Sequence, residues 1–280
     1  MRERAYKIAL CQMTVTDDKE GNLAKAAEMV RAAAAAGARI VCLPEIWNAP
    51  YDGKRMRDYA EPVEGPTFEF MAGLARELKI YLVGGSIPEF DGSSTAPSAD
   101  HSSAAAMYNT AFVFDPTGTC IARHRKVHLF DVNVENGVSH RESDLFGAGD
   151  GPTIFDTEFG RLGLAVCFDV RFPEMFREMA AQGCHLIFLP AAFTLTTGAA
   201  HWETLLKSRA LDNQLFFAAC GPARNPDAIY ASWGHTTVTT PWGDIAGGAD
   251  ERETIVYAVI DPDYANKIRR EIPIGNLPTL

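Results

Sequence analysis

No apolar run in this chain approaches the roughly 18–20 residues that a helix needs to cross a bilayer, so no membrane-spanning helix and no membrane partner are expected. No secretory leader is expected either. Met1–Lys7 is charged and leads only into the short apolar run Ile8–Cys11, without a longer apolar core or a small-residue cleavage site. The cytoplasm is therefore the expected compartment, with a mitochondrial fraction left open. The six cysteines (Cys11, Cys42, Cys120, Cys167, Cys184, Cys220) are scattered, with no CxxC and no close pair. That spacing supports neither a disulfide scaffold nor a zinc site. Positive charge is in deficit: the net charge is −10, which argues against nucleic acid or an anionic lipid surface as partner. There is no internal repeat and no linker. One low-complexity stretch, Asp91–Ala106 (DGSSTAPSADHSSAAA), reads as a surface loop.

What remains is an ordinary globular chain of 280 residues, 47% hydrophobic and 22% charged, long enough for a sizeable core. Apolar runs and amphipathic stretches alternate. Strands are expected at Ile8–Met13, Ile40–Leu43, Ile80–Val83, Thr110–Phe114, Thr119–Arg123, Leu162–Val166, His185–Leu189, Leu215–Cys220, Thr236–Thr240 and Thr254–Ile260. Helices are expected at Asn22–Ala36, with Gly37 closing it, and at Thr67–Leu78, Pro173–Gln182 and His201–Asn213. Alternation first and consecutive strands later suggest one α/β domain over residues 1–280, with two mixed sheets face to face and helices outside.

Three segments carry an ionisable residue at or just beyond an apolar strand. In RIVCLPEIWNAPY, Glu45 follows the strand and Pro44. It is either a solvated loop carboxylate or a general base at the carboxyl end of a strand, where α/β sites gather. In IARHRKVHLFD, Lys126 decorates an edge strand or serves a site. His124 and His128 flank it two residues to either side, on one strand face, but no third metal ligand stands at a recognisable spacing. In GRLGLAVCFDVRFPE, Cys167 ends the strand just before a helix. It is either a core cysteine or a nucleophile at a strand-to-helix elbow, where backbone N–H groups can bind an oxyanion.

Together these segments resemble the nitrilase superfamily, whose members use a Glu–Lys–Cys set. Glu45 in LPEIWNAPY, Lys126 in HRKVHLFD and Cys167 in CFDVRFPE match it, and Glu142 in SHRESDLFGAG matches an auxiliary glutamate. The resemblance runs from KIALCQM to PWGDI and Asp261–Pro262. The stretches PAAFTLTTGAAHWETLLKSRALDNQ and GPARNPDAIYASWGHTTVTTPWGD are most similar to the omega-amidase branch, which acts on 2-oxoglutaramate and 2-oxosuccinamate. Two departures stand out: Phe168 occupies a position where that branch often has Tyr, and Asp91–Ala106 looks inserted. The resemblance implies an α-β-β-α sandwich, a homodimer as the usual minimum, and a cysteine thioester mechanism that needs no metal or organic cofactor. For a substrate carboxylate, Arg171 is the first candidate, in competition with a salt bridge to Asp169 or Glu174. Phe168, Thr194 and Tyr51 are further candidates around the substrate, whereas Trp202 and Trp233 are expected to pack. The alternatives are another amidase of the same family, acting on deaminated glutathione or N-carbamoyl amino acids, or a catalytically silent interaction protein.

Overall fold

The computed structural model describes residues 4–53, 55–91, 107–135, 138–275 and 277–278. The inserted segment lies outside these residues from position 92 to 106. The chain opens with β1 (Tyr6–Gln12), α1 (Lys19–Ala35), β2 (Ile40–Cys42), β3 (Glu61–Pro62), α2 (Pro66–Leu78), β4 (Tyr81–Phe90), β5 (Met107–Phe114) and β6 (Cys120–Arg125). A small hairpin follows, β7 (Asp131–Asn133) with β8 (Ser139–Arg141). Then come β9 (Thr153–Thr157), β10 (Gly160–Leu164), α3 (Pro173–Ala181), β11 (Leu186–Pro190), α4 (Leu195–Asn213), β12 (Phe216–Cys220), β13 (Thr237–Thr239), β14 (Ile245–Gly248), β15 (Thr254–Ile260) and α5 (Pro262–Glu271).

These strands form two mixed sheets. The first has the order β15-β1-β2-β4-β5-β6, with β3 beside β4; the second has the order β14-β13-β12-β11-β10-β9. Parallel strands lie at the centre of each, β1-β2-β4 and β10-β11-β12, and antiparallel strands at the flanks. The central strands are buried on both faces, which is why they read as continuous apolar runs such as Leu186–Pro190. Flanking β15 instead alternates, with Val256, Ala258 and Ile260 inward and Tyr257 and Val259 exposed. Ile8, Leu10, Val83, Leu164, Phe188 and Ala218 share one apolar cluster that runs between the sheets. A second cluster packs α1 and α2 onto the outer face of the first sheet, and α3 and α4 cover the second. The expected four-layer order is the one observed.

Several boundaries move. The strand expected at Ile80–Val83 continues to Phe90 because Gly84 and Gly85 let it bend and resume. The helix expected from His201 begins at Leu195, where the Thr194 hydroxyl accepts the Thr197 N–H at 3.2 Å as its N-cap. The short strands β3, β7, β8, β9 and β14, and the helix α5, were not expected from the sequence.

Candidate active site

Glu45 sits three residues beyond β2, in a turn where Ile46 takes φ 47°. That turn is pinned to β4: the Ser86 N–H donates to Pro44 O at 3.1 Å, the Ile46 N–H to Ser86 Oγ at 3.1 Å, and Trp47 Nε1 to Gly84 O at 2.7 Å. Gly85 makes this approach feasible. It takes φ +63°, and a Cβ there would lie 2.1 Å from Pro44 O.

Lys126 follows β6 directly, and its N–H donates to Asn109 O at 2.9 Å. Its ammonium stands 3.0 Å from Glu45 Oε1 and 2.8 Å from Glu142 Oε2, with all three side chains at most 1% exposed. Burial opposes the charge on Lys126, but the carboxylates of Glu142 and Glu45 outweigh it and hold the amine protonated well above its ordinary range. Each carboxylate has further donors. Asn109 Nδ2 donates to Glu45 Oε1 at 2.8 Å and to Glu142 Oε1 at 3.2 Å. The Ala192 N–H reaches Glu45 Oε2 at 2.7 Å, and the Phe130 N–H reaches Glu142 Oε2 at 2.6 Å. Asn109 thus cross-links both glutamates from β5. Sequence reading missed it; the trace it left is a lone amide in the apolar strand MYNTAFVF.

Cys167 opens a 3-10 turn, Cys167–Arg171, three residues beyond β10. Its φ of 46° puts a side chain in the left-handed region that non-glycine residues avoid, as expected of a strained elbow. Cys167 is 5% exposed, and the Glu45 carboxylate is near enough to act on its thiol. Burial first, then the Glu45 charge, raises its pKa well above the ordinary thiol value, although Lys126 pulls the other way. The resting group is therefore a neutral thiol beside a carboxylate. The elbow is braced by Asp169, which accepts the Val166 N–H at 3.0 Å, His124 Nε2 at 3.0 Å, and the His128 N–H and Nδ1, each at 2.9 Å. Burial alone would raise the Asp169 carboxyl, but bonds from the two histidines overcome it and hold it far below the usual carboxylate range. His124 and His128 thus clamp this carboxylate, while Lys126 between them turns to the glutamates.

The space beside Cys167 is lined by Phe130, Phe168, Arg171, Phe193 and Thr197. Phe168 meets Phe130 edge to face at 5.3 Å, and the Arg171 guanidinium lies 5.5 Å from the Phe168 ring and 5.4 Å from Phe193. Among the described residues, Arg171 pairs with neither Asp169 nor Glu174; Nη2 contacts His201 Nδ1 at 3.3 Å, and buried Nε has no partner. The salt-bridge alternative for Arg171 is thereby overturned, since Asp169 is already saturated by other donors. Thr194 needs the opposite correction: its hydroxyl caps α4, and Thr197, one turn further on, lines the pocket instead. Ala192 and Tyr230 form a wall shared with a larger cavity of about 510 Å³, which Tyr51 and Glu45 also line. Tyr51 and Tyr230 meet there with centroids 4.5 Å apart and rings tilted by 31°. Trp202 packs as expected, with Nε1 donating to His235 O at 2.7 Å, and Trp233 stacks on His235.

A glutamate, an ammonium and a thiol thus lie buried together at the ends of strands from two sheets. Comparison with known proteins gives the family. Residues 7–270 match the carbon-nitrogen hydrolase family model. The chain belongs to this family: it is a carbon–nitrogen hydrolase of the nitrilase superfamily. Its relatives include a hydrolase of Schizosaccharomyces pombe, 46% identical over 97% of this chain and 81% of the relative. Another is omega-amidase NIT2 of Homo sapiens, 43% identical over 96% of this chain and 94% of its own. Among solved structures, Saccharomyces cerevisiae Nit3, a member of branch 10 of the nitrilase superfamily, superposes with a TM-score of 0.87. It is 36% identical, over 97% of this chain and 96% of that one.

Proposed function

We propose that this enzyme is an amidase that hydrolyses the terminal amide of 2-oxo dicarboxylate monoamides, 2-oxoglutaramate and 2-oxosuccinamate, to the acid and ammonia. The observation that carries this reading is the placement of Arg171. It is a half-buried guanidinium on the wall of the Cys167 pocket, with its Nε unpartnered and no acidic partner among the described residues. A guanidinium in that setting suits a substrate carboxylate, which it can bind through two parallel hydrogen bonds. The identity to omega-amidases over nearly the whole chain supports the same reading.

In the proposed reaction, Glu45 accepts the thiol proton as Cys167 attacks the amide carbon. Lys126 and the Phe168 N–H stabilise the oxyanion. Glu45 then returns the proton to the departing ammonia, leaving a thioester. Next it deprotonates water, which releases the acid and restores the thiol. Glu142 holds Lys126 alongside Glu45, with its Oε2 2.8 Å from the ammonium. The raised thiol supports attack concerted with proton transfer, rather than by a standing thiolate.

The test is ammonia release from 2-oxoglutaramate and 2-oxosuccinamate, beside deaminated glutathione, an N-carbamoyl amino acid and a simple nitrile. Preference for the first two supports the proposal, and preference for any other moves the substrate elsewhere in the family. The enzyme is further proposed to work as a homodimer. Exposed Leu211, Trp242 and Ile245 offer apolar surface for a second copy. A single species of 30.5 kDa in sedimentation would remove that part.

A further inference from the structure

Tyr230 belongs to none of the segments that carry the reacting groups, yet it closes the wall between the Cys167 pocket and the larger cavity. Its hydroxyl donates to Ala192 O. The same residue, Ala192, donates its N–H to Glu45 Oε2 at 2.7 Å. Two further links fasten the stretch after Tyr230 to the stretch after Ala192: the Trp233 N–H donates to Phe193 O at 2.8 Å, and Thr194 and Ser232 form an antiparallel bridge. Glu45 Oε1 is held by Lys126 and Asn109, so the Ala192 N–H is what sets the rotation of the carboxylate about its remaining freedom. Burial, then the neighbouring Cys167 and Glu45, keeps the Tyr230 phenol protonated and therefore a donor.

We infer that Tyr230 is a positioning residue for the general base: its hydroxyl fixes the Ala192 backbone, whose N–H aims Glu45 at the thiol. The inference rests on the proposed role of Glu45. It differs from a role in substrate recognition because the hydroxyl is spent on the protein's own carbonyl. Loss of that hydroxyl leaves the pocket's shape and Arg171 unchanged and disturbs only proton transfer.

Tyr230→Phe is the test, read by steady-state ammonia release and by alkylation of Cys167 with iodoacetamide, with the melting temperature measured alongside. The expected result is a fall in kcat of about tenfold, from the loss of roughly one hydrogen bond's worth of alignment. KM should stay within about twofold, since uniform binding is untouched, and alkylation of Cys167 should slow in parallel. An unchanged kcat, or a raised KM with unchanged alkylation, overturns the inference. Should Tyr230→Phe not fold, Tyr230→Gln and Tyr230→Leu replace it. The donor-bearing glutamine should retain more kcat than leucine, and equal kcat in the two overturns the inference. A wild type inactive on every amide, or a Cys167→Ala variant that remains active, would instead sink the reading beneath it.

Discussion

Cys167 rests as a neutral thiol because its burial and the Glu45 charge outweigh the pull of Lys126. In the proposed reaction its attack therefore depends on a partner that takes the proton. Cys167→Ala is expected to abolish ammonia release and leave the melting temperature within a few degrees of wild type, because only one atom of a 5%-exposed side chain is removed; residual activity would sink the mechanism. For Arg171→Ala, the expected outcome is a KM for carboxylate-bearing amides raised at least about tenfold, against about twofold for a neutral amide, from the loss of a charge-assisted contact. Equal effects on the two substrates would leave Arg171 a packing group. At this scale local pattern left Glu45, Lys126 and Cys167 each with a structural alternative; the resemblance of their segments, and of the Glu142 segment, to one family singled out the four, and the fold brings them together. Asn109 and Tyr230 stayed hidden. Their contributions are contacts across the fold, 64 residues from Asn109 to Glu45 and 38 from Tyr230 to Ala192, and no local pattern marks such pairs.

Among the elements, the bent strand β4 has the most direct bearing on the site. Its Gly84–Gly85 step lets the Glu45 turn lie against it, and the turn's hydrogen bonds to Ser86 and Gly84 depend on that contact. Gly85→Ala adds a Cβ at 2.1 Å from a backbone oxygen and forces φ +63° on alanine. The conformational term alone costs about 1–2 kcal/mol, and the overlap adds to it. Loss of activity together with a lower unfolding midpoint in urea is the expected outcome; wild-type values for both would show that the turn can shift without consequence. The long helices and central strands were legible from apolar runs and end signals. Two- and three-residue strands such as β3, β7 and β8 were not, since pairing with a neighbour defines them. The start of α4 was misplaced because TLTTG reads as a loop until Thr194 is seen capping Thr197.

Over the whole molecule, His185 links stability to pH. It begins the segment entering β11, is 2% exposed, and meets Tyr6 Oη at 2.8 Å, so it joins the second sheet to the first. Burial, with Arg269 and Arg4 nearby, pushes its pKa down to about 3. A free histidine titrates near 6.5, so as pH falls the unfolded chain takes up the proton first. Stability from this residue is complete above about pH 6.5 and is lost progressively toward pH 3. His185→Gln, which cannot titrate, should flatten the fall in urea midpoint between those limits; an unchanged slope would assign the acid sensitivity to other groups. The sandwich as a whole was readable from the sequence, through strand alternation and family resemblance. The brace between sheets was not, because it joins residues 179 positions apart.

The first sheet carries Glu45, Asn109 and Lys126, while the second carries Cys167 and the Ala192 N–H. During synthesis, then, Glu45 and Lys126 emerge from the ribosome well before Cys167. The strand beside β1 on its open edge, β15, emerges almost last. A nascent chain stalled before β11 holds both carboxylates and the cysteine but lacks Ala192, the donor that orients Glu45. In the proposed mechanism such a chain would carry the matching segments without the donor that orients the base, so the motifs precede the arrangement that uses them.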